Sequence, residues 1–198
     1  MTDDQKALLK LLSLCLSYPN TEAREEILPE MEAAASGLDD PLARERLTHF
    51  LTLMKAQPLL DLQAHYTTVF DLNPSASLNL TYHLMGERED RGRALAELIE
   101  VYRQAGFAPT VNDLPDFLPL MLEFLAVSGE GGVNELIRRC LATVPAIVQR
   151  LRDSGSRTRC SSCKSRRKKV RATTGSRPAS PCDHLPPTGS ATCASGPT

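Results

Sequence analysis

Apolar residues recur at helical spacing through roughly the first three quarters of this 198-residue chain. The opening segment, DDQKALLKLLSLCLSYP, places leucines and a cysteine one helical turn apart and ends on a proline. No segment alternates apolar and polar residues with the β-branched content of a strand. The sequence therefore predicts an all-α fold, a single helical-bundle domain of about seven or eight helices.

Helix boundaries are marked by capping residues, prolines and glycines. Asp40 followed by Pro41 is typical of a cap and a first helical position. Gly106 is suited to a left-handed helix end. Pro145 is expected to kink the last helix, whose pattern places Val148 among its inward-facing residues. The helix after Asp40 is predicted to present one apolar side, comprising Leu47, Phe50, Leu51 and Met54.

The composition of the chain changes abruptly at residue 154. Residues 1–153 hold 14 Lys/Arg against 23 Asp/Glu, whereas residues 154–198 hold 9 against 1, and 24 of these last 45 residues are Ser, Thr, Gly or Pro. Such a segment buries too little apolar surface to offset its ordering entropy. We therefore predict an all-helical domain over 1–153 and a disordered basic tail over 154–198. The tail's composition is also typical of GC-rich DNA read out of frame, so a frameshift is a second hypothesis for its origin.

Residues 1–153 contain few candidates for nucleic-acid binding, catalysis or metal binding. Their acidic balance argues against nucleic acid as a ligand, and the absence of a long apolar run or an export leader predicts a cytoplasmic protein without stable membrane insertion. Asp61 and His65 are one helical turn apart, and Cys160 and Cys163 have half of a zinc-site spacing. We predict no catalytic residue, no metal and no cofactor. A nucleic-acid-associated regulator using the basic tail and a helical metalloenzyme using Asp61 and His65 are the alternatives.

The segment DLPDFLPLMLEF, residues 113–124, has two prolines four positions apart in an otherwise apolar helical pattern. Both are tolerated if the helix begins at Asp116. Pro115 then lies outside the helix, Asp116 is the cap, and Pro119 falls at the third helical position, where an N–H has no intrahelical partner. The pattern predicts a stiff, extended entry into an apolar helix.

Four blocks of the chain together resemble one protein family. DLPDFLPLMLEFLA, YHLMGEREDRGRALAELIEVYRQAGF, LLDLQAHYTTVFDL and LLSLCLSYP resemble the NarJ-type subgroup of the TorD/DmsD redox-enzyme maturation chaperones, over roughly residues 5–153. The resemblance implies an all-helical cytoplasmic chaperone, not an enzyme. Its client would be the catalytic α subunit of a nitrate reductase or related molybdoenzyme, bound through a twin-arginine-like N-terminal leader until the molybdenum cofactor is inserted. A monomer and a dimer are both compatible with the family.

The resemblance also implies a leader-binding loop over residues 114–117. Independently, carboxylates concentrate near two predicted helix starts, where they suit the guanidinium group of a basic client. In the alternative interpretation, Asp90 and Asp116 only cap helices and the glutamates are solvated. The predicted client-peptide site comprises Leu114, Pro115, Asp116, Phe117, Glu87, Asp90, Arg91 and Glu123.

Overall fold

A computed structural model describes residues 1–86, 89–108 and 113–154 of the chain. Its helices are α1 (Asp3–Leu16), α2 (Leu28–Ser36), α3 (Pro41–Ala56), α4 (Leu59–Tyr66), α5 (Leu80–Met85), α6 (Glu89–Gln104), α7 (Leu118–Ser128), α8 (Glu135–Leu141) and a last helical segment over 144–154. Two π-helical turns, Ala23–Ile27 and Thr67–Asp71, adjoin α2 and α4. Within the described ranges there is an isolated bridge but no strand, which confirms the all-α prediction.

Local side chains set several helix ends. Asp40 Oδ1 accepts a hydrogen bond from the Leu42 N–H at 2.9 Å, which confirms the predicted cap of α3. Gly106 follows α6 with a φ of 71°, a left-handed conformation that favours glycine, as predicted. These boundaries depend on neighbouring residues only, and for that reason they are readable from the sequence.

Helix α7 forms the centre of the main core. Seven of its eleven residues are buried, and it packs closely along α1. The Ser13 hydroxyl of α1 donates a buried hydrogen bond of 2.8 Å to the Pro119 carbonyl, which fixes the two helices near the start of α7. The loop that enters α7 is consequently held against the core.

A smaller apolar cluster joins α1, α2 and α3. Helix α3 contributes only Leu47 and Leu51 as buried residues and packs mainly against α2. Phe50 belongs to the apolar side predicted for this helix, but its side chain is 40% exposed. A helix with one main packing partner buries a narrower stripe than its sequence pattern suggests. The cluster comprises Leu11, Leu28, Met31, Ala35, Leu38, Leu47 and Leu51.

Two proline-containing helices differ from the prediction. Helix α7 begins at Leu118 with Phe117 as the N-cap, so Asp116 is not its cap and Pro119 is at the second helical position. The predicted final helix is interrupted at residues 142–143, just before Pro145. In the last helical segment Ile147 is buried while Val148 is 37% exposed, so the prediction that Val148 faces inward is wrong.

Several predictions fall outside the described residues. The predicted tail lies beyond them except for its first residue, and its disorder and origin stay predictions. Glu87 is likewise outside the described ranges. Within those ranges, no helix is both long and apolar enough to cross a lipid bilayer.

The turn after α7 requires glycine at position 132. A Cβ atom built there would lie 2.8 Å from two ring carbons of Phe124, a side chain that is fully buried. We expect Gly132→Ala to lower the free energy of unfolding by about 1–3 kcal/mol, because the ring cannot move without disturbing the core. Chemical denaturation measures this cost. Gly131→Ala is the matched control, since a Cβ there meets no atom within 4 Å, and an equal loss in both variants would contradict the prediction.

Candidate functional site

The loop entering α7 is paired with the segment that enters α5. The Leu80 N–H donates to the Asp116 carbonyl at 3.0 Å, and the Leu118 N–H donates to the Leu78 carbonyl at 2.8 Å. These bonds flank an antiparallel bridge between Asn79 and Phe117. The loop is therefore held by backbone hydrogen bonds on both sides of Phe117.

Asp116 is an internal anchor of this loop. Its carboxylate is fully buried, and Oδ2 accepts hydrogen bonds from the Thr81 N–H at 3.0 Å and from the Thr81 hydroxyl. The Arg91 guanidinium lies 3.5 Å from the same oxygen and also donates to the Thr81 hydroxyl at 3.0 Å. Among the described residues, the other oxygen, Oδ1, is buried without a hydrogen-bond partner. The predicted cap is thus a buried charge that joins the loop to α5 and α6.

Tyr102 holds the loop from a second direction. Its hydroxyl donates to the Pro115 carbonyl at 2.6 Å, and its ring packs against Phe107 and Phe124. Burial raises the pKa of the Tyr102 phenol, with a smaller contribution from Asp116, so the hydroxyl keeps its proton for this bond. No local sequence pattern marks Thr81 or Tyr102 as a support of the loop, because each is far from it along the chain.

In contrast to the buried residues that anchor the loop, Asp113 and Leu114 at its start are exposed to solvent. Burial raises the pKa of the Tyr66 phenol to about 12, and the nearby negative charges of Asp71 and Asp113 contribute to this increase. The Tyr66 ring contacts that of Tyr18 edge-on at 5.4 Å. The surrounding large apolar side chains are accessible, with Tyr18 47%, Leu72 74% and Leu114 43% exposed. We call this surface the leader face, after the leader peptide that the family resemblance implies, and define it as Tyr18, Asp71, Leu72, Asp113 and Leu114.

A family comparison identifies the chain. Residues 25–154 match the model of the family described as nitrate reductase delta subunit. The chain belongs to this family. The matched residues include the loop that enters α7 and the side chains that hold it, namely Thr81, Arg91 and Tyr102. They also include all of the leader face except Tyr18.

Named relatives of this delta-subunit family agree with the match. The chain is 35% identical over 78% of its length to the probable nitrate reductase molybdenum cofactor assembly chaperone NarJ of Bacillus subtilis (strain 168), covering 84% of that protein. It is 32% identical over 75% of its length to the nitrate reductase molybdenum cofactor assembly chaperone NarJ of Escherichia coli (strain K12), of which it spans 64%. These names confirm the NarJ-type resemblance and agree with the expectation that the chain is not an enzyme.

A solved structure supports the fold alone. The crystal structure of a putative redox enzyme maturation protein from Archaeoglobus fulgidus superposes with a TM-score of 0.50 at 24% sequence identity, over 69% of this chain and 82% of that one. The all-α architecture of this delta-subunit family member is thus found in an experimental structure.

Most of the other predicted charged residues that the structure describes lie away from the loop. Asp90 pairs with Arg93 at 3.0 Å and lies in an open groove of about 310 Å³ beside α8. Glu123 forms an ion pair with Lys10 of α1. Arg91 is the exception, because it reaches Asp116. The predicted patch is therefore divided between an internal anchor and separate surface pairs.

Metal-binding chemistry has little support within the described part of the chain. Across residues 1–86, 89–108 and 113–154, no group of three or more His, Cys, Asp or Glu side chains is placed to hold a metal ion, and Asp61 with His65 gains no third ligand. Cys160 and Cys163 lie outside these ranges. The leader face instead combines apolar side chains with two carboxylates, an arrangement that suits the binding of a peptide.

Proposed function

We propose that this chain is a dedicated assembly chaperone for a nitrate reductase. It binds the N-terminal leader of the catalytic α subunit in the cytoplasm and holds the subunit until its molybdenum cofactor is inserted. The family match and the names of the relatives support the assembly role. The single observation that supports leader binding is the leader face, an accessible apolar surface beside a rigid loop.

The chemistry of this face fits a basic amphipathic peptide. Tyr18, Leu72 and Leu114 offer contacts for the apolar side of a short helix, the arrangement used where a helix binds in a groove. Asp71 and Asp113 add negative charge beside them, which favours arginine, whose guanidinium matches a carboxylate in shape. The expected ligand is a leader with an apolar stripe flanked by arginine.

The predicted loop residues take two roles in this proposal. Leu114 is exposed and contacts the leader directly. Pro115, Asp116 and Arg91 hold the loop in place from inside, so they act on leader binding through its position. A preorganised loop binds more tightly because less conformational entropy is lost on binding.

Titration calorimetry with the α subunit's own N-terminal peptide tests the proposal. We expect binding that weakens with added salt, and Asp71→Asn with Asp113→Asn should reduce both the affinity and its salt dependence, because exposed charges are screened. Asp90→Asn is the matched control, since that carboxylate lies on another surface. Absence of binding at every ionic strength would rule out leader recognition. Cofactor content of nitrate reductase from cells lacking the chaperone tests the assembly role separately.

A further inference from the structure

Tyr18 is the part of the leader face that lies just after the end of α1. Its side chain is 47% exposed, and its ring contacts the Tyr66 ring edge-on at 5.4 Å. Pro19 follows it and is buried, and a residue before a proline is restricted to extended backbone conformations. An exposed aromatic side chain is therefore attached to a stiff segment of backbone.

Two side chains of α4 hold the backbone on either side of Tyr18. The Tyr66 hydroxyl donates to the Leu16 carbonyl at 3.0 Å, and the Gln63 side-chain amide donates to the Pro19 carbonyl at 3.0 Å. Gln63 and Tyr66 are three positions apart, so they lie on one face of α4. We call these two residues the α4 clamp.

The end of α1 does not require both of these bonds. Leu16 is the last residue of α1, and its carbonyl is one of those that a helix end leaves without an intrahelical partner. The Tyr66 bond therefore helps to terminate the helix. Pro19 lies outside α1, so the Gln63 bond acts on the connecting segment itself. Together the two bonds fix the backbone from which the Tyr18 side chain projects.

The element that carries the α4 clamp also carries another part of the leader face. Asp71 ends the π-helical turn that continues α4, and Leu72 follows it. The α4 clamp consequently joins Tyr18 to the segment that holds Asp71 and Leu72. A tyrosine suits such a position, since it offers a large contact area and has only two side-chain torsions to immobilise on binding.

We propose that Gln63 and Tyr66 are positioning residues for leader binding, which hold Tyr18 as a preorganised contact for the apolar side of the leader. This inference rests on the proposed function. A ring whose backbone is fixed in advance loses less conformational entropy on binding than a ring on a loose segment. The α4 clamp thus raises the affinity through Tyr18, without itself contacting the leader.

A double-mutant cycle tests this role, with affinities from titration calorimetry of the full chain with the α subunit's N-terminal peptide. Gln63→Met combined with Tyr66→Phe nearly keeps the size of both side chains and removes both donors. We expect this clamp variant to bind the peptide roughly 3- to 10-fold more weakly, the effect of one side chain that must be ordered on binding. In a Tyr18→Ala background the same changes should weaken binding less than about twofold, because the side chain that they position is gone.

Tyr102→Phe is the matched control. It also removes a tyrosine hydroxyl that donates to a backbone carbonyl, but that carbonyl belongs to Pro115 in the loop entering α7. Its effect on affinity should be the same with and without Tyr18→Ala. An equal loss from the clamp variant in both backgrounds would overturn the inference and leave leader binding in place. A wild-type chain that binds no peptide would refute the proposed function and this inference with it.

Hydrogen–deuterium exchange examines the α4 clamp without any peptide. Exchange of the backbone amides of residues 17–24 should be faster in the clamp variant than in the wild-type chain, and Tyr102→Phe should leave it unaltered. An exchange rate that the clamp variant does not change would show that these bonds do not fix the segment. Circular dichroism checks that each variant is folded. Should the combined variant unfold, Gln63→Met alone decides in both backgrounds, because its bond is only partly buried and lies outside α1.

Discussion

Asp116→Ala should lower the free energy of unfolding by about 3–5 kcal/mol, the range seen when one partner of a buried ion pair is removed. The substitution would leave the buried Thr81 N–H and hydroxyl without their acceptor and would deprive the Arg91 guanidinium of its counter-charge. A helix cap, the role that the sequence suggested, would cost only about 1 kcal/mol. Urea denaturation distinguishes the two roles by the size of the loss.

Two controls define the source of that loss. Asp90→Ala removes an exposed carboxylate paired with Arg93, and its effect should stay below about 0.5 kcal/mol. Thr81→Val keeps the volume of the buried side chain but removes one donor to Asp116, so it should cost less than Asp116→Ala. A loss of about 1 kcal/mol for Asp116→Ala would show that its carboxylate is not an essential internal anchor.

Leu114→Asp combined with Leu72→Asp should weaken leader binding by about 10- to 100-fold while changing stability by less than about 0.5 kcal/mol. Both side chains are exposed, at 43% and 74%, so the folded chain does not depend on burying them. A bound leader would cover them, and each new carboxylate would then lose its water against an apolar surface. Calorimetry with the α subunit's N-terminal peptide gives the affinity, and thermal denaturation gives the stability.

Val127→Asp is the matched control for this pair. Val127 is an apolar residue 69% exposed near the end of α7, outside the leader face. The same chemical change there should leave the affinity for the leader unaltered. Equal weakening by Val127→Asp, or unchanged binding in the Leu72 and Leu114 double variant, would contradict the location proposed for the leader.

Nitrate reductase activity can be measured in cells that lack the chaperone and produce one of these variants instead. It tests whether each substitution affects assembly of the enzyme. A chain with Leu72→Asp and Leu114→Asp should be present at a normal level yet fail to restore the enzyme. A chain with Asp116→Ala should fail chiefly because less of it is folded, since a loss of a few kcal/mol is a large share of the stability of a small domain. Immunoblotting of the chaperone separates these two causes.

The helical class, several helix ends and the family could be predicted from the order of residues alone. Helical periodicity, the cap at Asp40 and the left-handed Gly106 depend on residues within about one helical turn, so they can be read along the chain. Four sequence blocks, among them DLPDFLPLMLEFLA, are sufficient to indicate the family to which the chain belongs.

The roles of the loop residues depend on contacts between segments that are distant in sequence. Asp116 contacts Thr81 across 35 positions of sequence, and Asp113 approaches Tyr66 across a still larger separation. A carboxylate beside a helix start is typical of a cap from local pattern alone, whereas its burial and its partner depend on how α5, α6 and α7 pack. Long-range packing turned the predicted contact residue Asp116 inward and left Leu114 at the surface, because a buried charge is stable only where other segments supply its donors.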